Sequence, residues 1–245
     1  MCGRLVLTTA PASVARLLDA TVGLTLNDDT FQPSWNVPPT ALIPGLLEAP
    51  NGQGRILSQF RWGLLPSWAK DLSFGAKTFN ARVETVAEKP SFRSAFVRQH
   101  LVIPVDGYYE WQTLGNELKQ PHFITRTDNK PLLLAGLWEQ WRAPQVGGEP
   151  SPLIRSCTIL TRPANTDVGH LHDRMPVVVE EPDIDLWLTS SGDGSAQVLE
   201  QLLDVQTGIL TARRVAKAVG SVRNDGAHLI EPALSELQGE TTSSP

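Results

Sequence analysis

The sequence predicts an α+β domain dominated by strands, with small helices at its periphery. Two observations carry this expectation. Nineteen prolines and nineteen glycines punctuate the 245 residues, a density that interrupts long helices and favours short strands joined by turns. Between these points the apolar residues fall in blocks of strand length, with helical spacing only in brief stretches. Hydrophobic residues make up 41% and charged residues 19%, which is ordinary for a globular protein and enough to bury a substantial core.

In chain order, "GRLVLTT" (3–9) reads as a strand and "PASVARLLDAT" (11–21) as a short helix with Pro11 in its first turn. "ALIPGLLE" (41–48) and "RILSQFRWGLLP" (55–66) read as strands. "ETVAEKPSFRSAFVRQH" (84–100) suggests two short helical turns interrupted before Pro90. A run of strands follows in "LVIPVDGYYEWQ", "PHFITRT", "PLLLAGLWEQW", "SCTILTR" and "RMPVVV". "DIDLWLT" and "SAQVLEQLLDVQ" read as helices, the second apolar at Val198, Leu199, Leu202 and Leu203. The tail "SELQGETTSSP" is polar and expected to be loose. Internal repeats and a strong linker are absent, and strand order is not legible.

No apolar run approaches the roughly 20 residues of a membrane span, and the N-terminus carries no basic segment leading into an apolar one. Two cysteines, Cys2 and Cys157, do not make a disulfide framework, so a reducing cytoplasmic or nuclear location is expected. The net charge of −5 argues against a uniformly basic nucleic-acid binder. Residues 61–100 nevertheless hold seven Lys/Arg against three acids, +4 locally and about −9 elsewhere, and local patches steer anionic ligands. A solvated basic face is the ordinary alternative.

Four short motifs bear chemistry. Cys2 directly follows Met1; once Met1 is removed, one residue offers an α-amine with a pKa of about 8 and a thiol of about 8.5. The amine attacks an aldehyde to give an imine, and the neighbouring thiol closes a five-membered thiazolidine; alternatively Cys2 is an incidental small residue. In "FNARVET", an extended backbone puts Asn80, Arg82 and Glu84 on one face, where Arg82 can hold a phosphate bidentately and Asn80 can orient a reacting group. A surface pair between Arg82 and Glu84 is the alternative. In "VDGYYEWQ", aromatic neighbours can desolvate Glu110 and raise its pKa for general acid work, or Glu110 simply faces solvent. In "GHLHDRMP", His170, His172, Asp173 and Arg174 crowd together. Metal is not expected, because no third ligand sits at zinc spacing; a histidine proton shuttle beside a phosphate-binding arginine suits the pattern better.

Taken together and in this order, Cys2-Gly-Arg, "RWGLLPSWAK", "NARVET", "GYYEW", "HDRMP" and "VRNDG" closely resemble the SOS response-associated peptidase (SRAP) family, whose best-known members shield abasic sites in single-stranded DNA. The resemblance runs from residue 2 to about 232. It implies a single compact domain over 1–232 with a strand-rich, largely antiparallel core of barrel-like sheets, a positively charged DNA groove and a tail over 233–245. It also implies loss of Met1, autocatalytically or by an aminopeptidase, and a thiazolidine crosslink from Cys2 to the ring-opened abasic aldehyde, with lyase-like activity alongside. By the same resemblance Asn80 positions the Cys2 end, Glu110 is the acid–base residue and His172 is the histidine of the site. Arg4, Arg82 and Arg174 resemble phosphate-gripping arginines, and Trp68, Pro39 and Trp111 offer apolar surfaces to bases. "VRNDG" supports folding or groove shape. The expected partner is single-stranded DNA with abasic sites, engaged by a monomer without cofactor; a recruiting partner in the replication machinery leaves no mark in the sequence. The rivals are an N-terminal-nucleophile amidohydrolase, against which the usual Arg-Gly-Pro segment and glutamine-binding loop are missing, a peptidase acting on other proteins, and a noncovalent binder of modified DNA.

Overall fold

The computed structural model describes residues 2–26, 31–50, 52, 54–115, 118–143, 152–204 and 207–233. The tail expected to be loose lies, apart from Ala233, outside the described residues. Among the described residues thirteen strands dominate: β1 (Leu5–Leu7), β2 (Ala20–Val22), β3 (Ser34–Val37), β4 (Leu42–Glu48), β5 (Arg55–Trp62), β6 (Asn80–Arg82), β7 (His100–Val105), β8 (Gly107–Thr113), β9 (Lys119–Arg126), β10 (Leu132–Arg142), β11 (Leu153–Pro163), β12 (Arg174–Pro176) and β13 (Leu210–Arg214). The helices α1 (Pro11–Leu17), α2 (Arg93–Arg98), α3 (Ile184–Thr189) and α4 (Gly194–Leu203) are short.

The strands form two sheets. One has the order β13-β9-β8-β1-β3. The other runs β12-β11-β10-β7-β4-β5-β2, with β6 added beside β11. A parallel pairing of β11 with β5, Ser156 opposite Arg61 and Cys157 opposite Trp62, closes β5, β4, β7, β10 and β11 into a ring. The strand-rich, mostly antiparallel and barrel-like architecture expected from the sequence is therefore present.

Strand periodicity explains where the core sits. Along β7, Leu101 and Ile103 join the barrel interior with Phe60, Trp62 and Ile159. Their neighbour Val102 points out, to Leu46 and Leu57 and the helical side chains Val14, Phe96, Trp187 and Leu199. Successive residues of a strand face opposite sides, so the barrel is filled inside and the helices cover its outside. In α4 the buried residues are Val198, Leu199 and Leu202 with Ser195, three of the four apolar positions that the sequence marked, while Leu203 is only partly buried. Gly63 follows β5 with φ of +136°, and a Cβ there would lie 2.3 Å from the Gly75 carbonyl oxygen. Only glycine permits that approach, which anchors the 3-10 turn Leu72–Lys77 carrying the chain toward β6.

Some elements differ from expectation. The first of the two helical turns expected in 84–100 is a series of turns, and only Arg93–Arg98 is helical. β2, β3 and β13 carry no strand signal: β2 has three residues, β3 is confined between Pro33 and Pro38, and β13 is an edge strand ending in two arginines. Each depends on tertiary pairing more than on its own pattern.

Candidate active site

Cys2 lies three residues before β1 and is fully buried, although chain ends are usually loose unless tied down. The ties are visible. Asn80 Nδ2 donates to the Cys2 carbonyl at 2.6 Å, and the Tyr109 amide donates to the Arg4 carbonyl at 3.0 Å. Asn80 reaches this point because β6 runs parallel to β11, with Asn80 opposite Ile159 and Arg82 opposite Thr161. Alternation sends Ala81 into the core and leaves Asn80 and Arg82 on the other face. The Asn80 Oδ1 is buried without a partner among the described residues. The extended stretch stops at Arg82, so Glu84 is carried onward by a turn.

Glu110 lies on β8, buried, opposite His122 of β9. Burial raises its carboxyl pKa, countered in part by the nearby His172. A raised carboxyl pKa keeps a proton available to donate. Burial likewise pushes the Cys2 thiol well up, and the Glu110 carboxylate adds to that, so the thiol is held neutral. His172 Nδ1 lies 2.7 Å from Asp173 Oδ1 and 3.0 Å from the Arg174 amide nitrogen. A bare Nδ1 accepts from that amide, whereas a protonated one donates to the carboxylate. Either neutral tautomer of the imidazole therefore has a partner at Nδ1.

The three arginines are placed very differently. Arg82 is exposed, with no hydrogen-bond partner for its guanidinium among the described residues. Arg174 is buried and bidentate to Glu84, at 2.5 and 3.0 Å, and also donates to the Thr161 carbonyl. That hydrogen bond holds the Glu84 carboxyl below its usual range, and it is Arg174, not Arg82, that pairs with Glu84. Arg4 donates to Asn36 Oδ1 at 2.6 Å and to the Val219 carbonyl at 2.9 Å, and its guanidinium lies 5.8 Å from the centre of the half-buried Trp111 ring. Trp68 is 54% exposed and stands edge-on to Phe74. Pro39 is half-buried in the turn after β3. The "VRNDG" segment braces β3: Asp225 Oδ1 accepts from the Trp35 amide, and the Asn224 carbonyl accepts from Asn36 Nδ2. Asn36 and Thr161, which hold Arg4 and Arg174, carry no signal of their own in the sequence. Among the described residues no group of three His, Cys, Asp or Glu side chains is arranged to hold a metal ion, and no helix is long and apolar enough to cross a membrane.

A closed strand ring, with Cys2 held against Asn80 beside the buried Glu110 and near His172, defines a class of domain by its fold and by this cluster. A family model described as "SOS response associated peptidase (SRAP)" matches residues 1–222, and the chain belongs to that family. The chain is 34% identical over 231 residues to a Bacillus subtilis protein named abasic site processing protein YoaM, covering 94% of this chain and 98% of the relative. It is 30% identical over 236 residues to the Gallus gallus abasic site processing protein HMCES, covering 84% of this chain and 68% of the relative. The fold is shared with a solved Bacteroides thetaiotaomicron protein at 21% identity, with a TM-score of 0.79 over 95% of this chain and all of the other.

Proposed function

We propose that this protein processes abasic sites in single-stranded DNA, and that with Met1 removed Cys2 joins the ring-opened sugar as a thiazolidine. The observation that carries this reading is the Asn80 bond to the Cys2 carbonyl at 2.6 Å, made next to the buried Glu110. An aminothiol fixed at a stated point gives a high effective molarity to an aldehyde presented there. Burial raises the Glu110 carboxyl pKa and so favours its protonated form, while part of the α-amine is neutral near neutral pH.

The steps balance. The sugar ring opens to its aldehyde with proton transfer by Glu110. The Cys2 amine adds to the carbonyl carbon, and the resulting hydroxyl leaves as water with a proton from Glu110, giving an iminium. The thiol sulfur then bonds to the same carbon, the C=N electron pair returns to nitrogen, and the thiol proton passes to the Glu110 carboxylate. His172 exchanges protons with this cycle, and reversal follows the same steps. Asn80 Oδ1 is the acceptor that orients the freed amine.

An abasic sugar offers no base edge to read, so binding rests on phosphates, shape and the aldehyde. Arg82 has the free guanidinium for a phosphate. Arg174 acts here as a clamp between Glu84 and β11, and Arg4 as a brace under Trp111. Trp68, Pro39 and Trp111 offer apolar faces, and stacking contributes about 1–3 kcal/mol per base without sequence preference. The protein acts as a monomer. The test mixes protein confirmed by mass spectrometry to lack Met1 with single-stranded DNA holding one abasic site. A denaturation-resistant adduct whose mass equals protein plus DNA minus water is expected; its absence overturns the reading.

A further inference from the structure

Tyr108 and Tyr109 are adjacent on β8, both buried, and face opposite ways. Tyr109 packs with Val6 and Phe123, and its hydroxyl donates to the Trp35 carbonyl at 2.8 Å. Tyr108 packs with Cys2, Leu5 and Ile124. Its hydroxyl is buried with no hydrogen-bond partner among the described residues. An unmade hydrogen bond on a buried donor is destabilising, and phenylalanine would fill the same space without that penalty. A group kept at such a cost calls for an explanation.

Position supplies one. Tyr108 stands opposite Leu5 in the β1–β8 pairing, three residues from Cys2. By strand alternation it shares its face with Glu110. The titratable groups that act on it come from separate elements, Cys2 before β1, Glu110 on β8 and Asp167 in the loop between β11 and β12, and Glu110 is in turn faced by His122 of β9 and His172 of that loop. Burial, reinforced by the charges of Cys2, Glu110 and Asp167, raises the phenol pKa well above its ordinary value. The phenol is thus a neutral O–H, a donor that never becomes an anion in the working pH range. The Cys2 sulfur is the group in this pocket most in need of a donor, since burial and Glu110 both oppose thiolate formation.

We propose that the Tyr108 hydroxyl donates a hydrogen bond to the Cys2 sulfur as ring closure begins, stabilising the negative charge that develops as the thiol proton moves to Glu110 and the C–S bond forms. The donor keeps its own proton, so no atom or electron is added to the cycle. This rests on the thiazolidine reading above and assigns a residue to its second half. By microscopic reversibility the same hydrogen bond assists ring opening, so the position of equilibrium is unchanged.

The test compares Met1-free wild type and Tyr108→Phe on single-stranded DNA with one abasic site. Imine is captured by borohydride at short times, and the closed adduct is counted in parallel samples without borohydride, where the imine hydrolyses and only the thiazolidine survives denaturation. Tyr108→Phe is expected to form imine at the wild-type rate, to close and to reopen the ring about tenfold more slowly at pH 7, and to need about one pH unit more to reach the same closure rate. Its thermal stability is expected to equal or exceed the wild type, because only an unpartnered hydroxyl is lost. Equal closure rates at every pH, or a loss confined to the imine step, overturn the assignment while leaving the proposed function standing. A wild type that gives neither adduct overturns both.

Discussion

The chain's two cysteines are equally hidden and differently placed. Cys2 and Cys157 are both inaccessible and belong to the same apolar cluster. Cys157 lies in the middle of β11, opposite Trp62, where the barrel closes, and its carbonyl accepts from the Gly63 amide at 2.8 Å. Burial alone raises its thiol pKa, so it behaves as a small apolar residue. Cys2 is under the same burial, with Glu110, Asn80 and Tyr108 around it. On the proposed function, burial therefore does not separate a structural thiol from a reactive one. The difference lies in the polar groups brought to it and in an α-nitrogen that proteolysis can free.

The largest effect should fall on Cys2 alone. Cys2→Ala is expected to abolish the denaturation-resistant adduct, while Cys157→Ala crosslinks at the wild-type rate; a gel time course of both variants decides it. Next comes the carboxyl that distinguishes the two sites. Glu110→Gln is expected to slow adduct formation about a hundredfold, within the usual range for loss of a general acid–base group, with DNA affinity unchanged. It should also stabilise the fold at neutral pH. Burial raises the Glu110 pKa, so between the ordinary carboxylate value and the raised one the folded protein holds more protons than the unfolded chain. Stability contributed by the neutral carboxyl is full below that window and falls as pH rises through it. The melting temperature of Glu110→Gln should exceed that of wild type at pH 7, with the gap closing toward pH 4.

A smaller effect is expected at Arg82, which lies outside both sulfur environments. Arg82→Ala should weaken binding to abasic single-stranded DNA several-fold and lower the salt dependence by about one unit of the log–log slope, readable by anisotropy titration with Cys2→Ala as background. The smallest is at the other thiol. Cys157→Ala is expected to cost about 1–2 kcal/mol of unfolding free energy in urea for the small cavity it leaves.

Much of this was legible in the sequence, for identifiable reasons. Strands such as β7, β10 and β11 announce themselves because their own apolar residues fill the barrel. Asn80, Glu110 and His172 are noticeable because polar groups interrupt short motifs rich in apolar or aromatic residues. The clamp on Arg174 was not legible: its partners Glu84 and Thr161 come from a turn and from another strand, and pairing across 90 positions leaves no local pattern. Asn36 is similar, since its bonds run to Ser221 and Asn224 at the far end of the chain. Tyr108 was hidden by its neighbour; in sequence the two tyrosines look alike, and only strand alternation tells them apart.

The ring closure has a consequence in time. β5 and β11 meet across a long stretch of chain, and next to that junction the Leu65 amide donates to Ser156 Oγ from 91 positions away. Such distant pairings are slow to form. β6, which presents Asn80, is also held by β11. During synthesis residue 2 is made well before β11, the strand that completes its surroundings, which follows more than half a chain later. An uncovered aminothiol would meet cellular aldehydes throughout that interval. On the proposed function, Met1 keeps that amine blocked until it is removed, and the order of synthesis favours a removal that follows the closing of the ring.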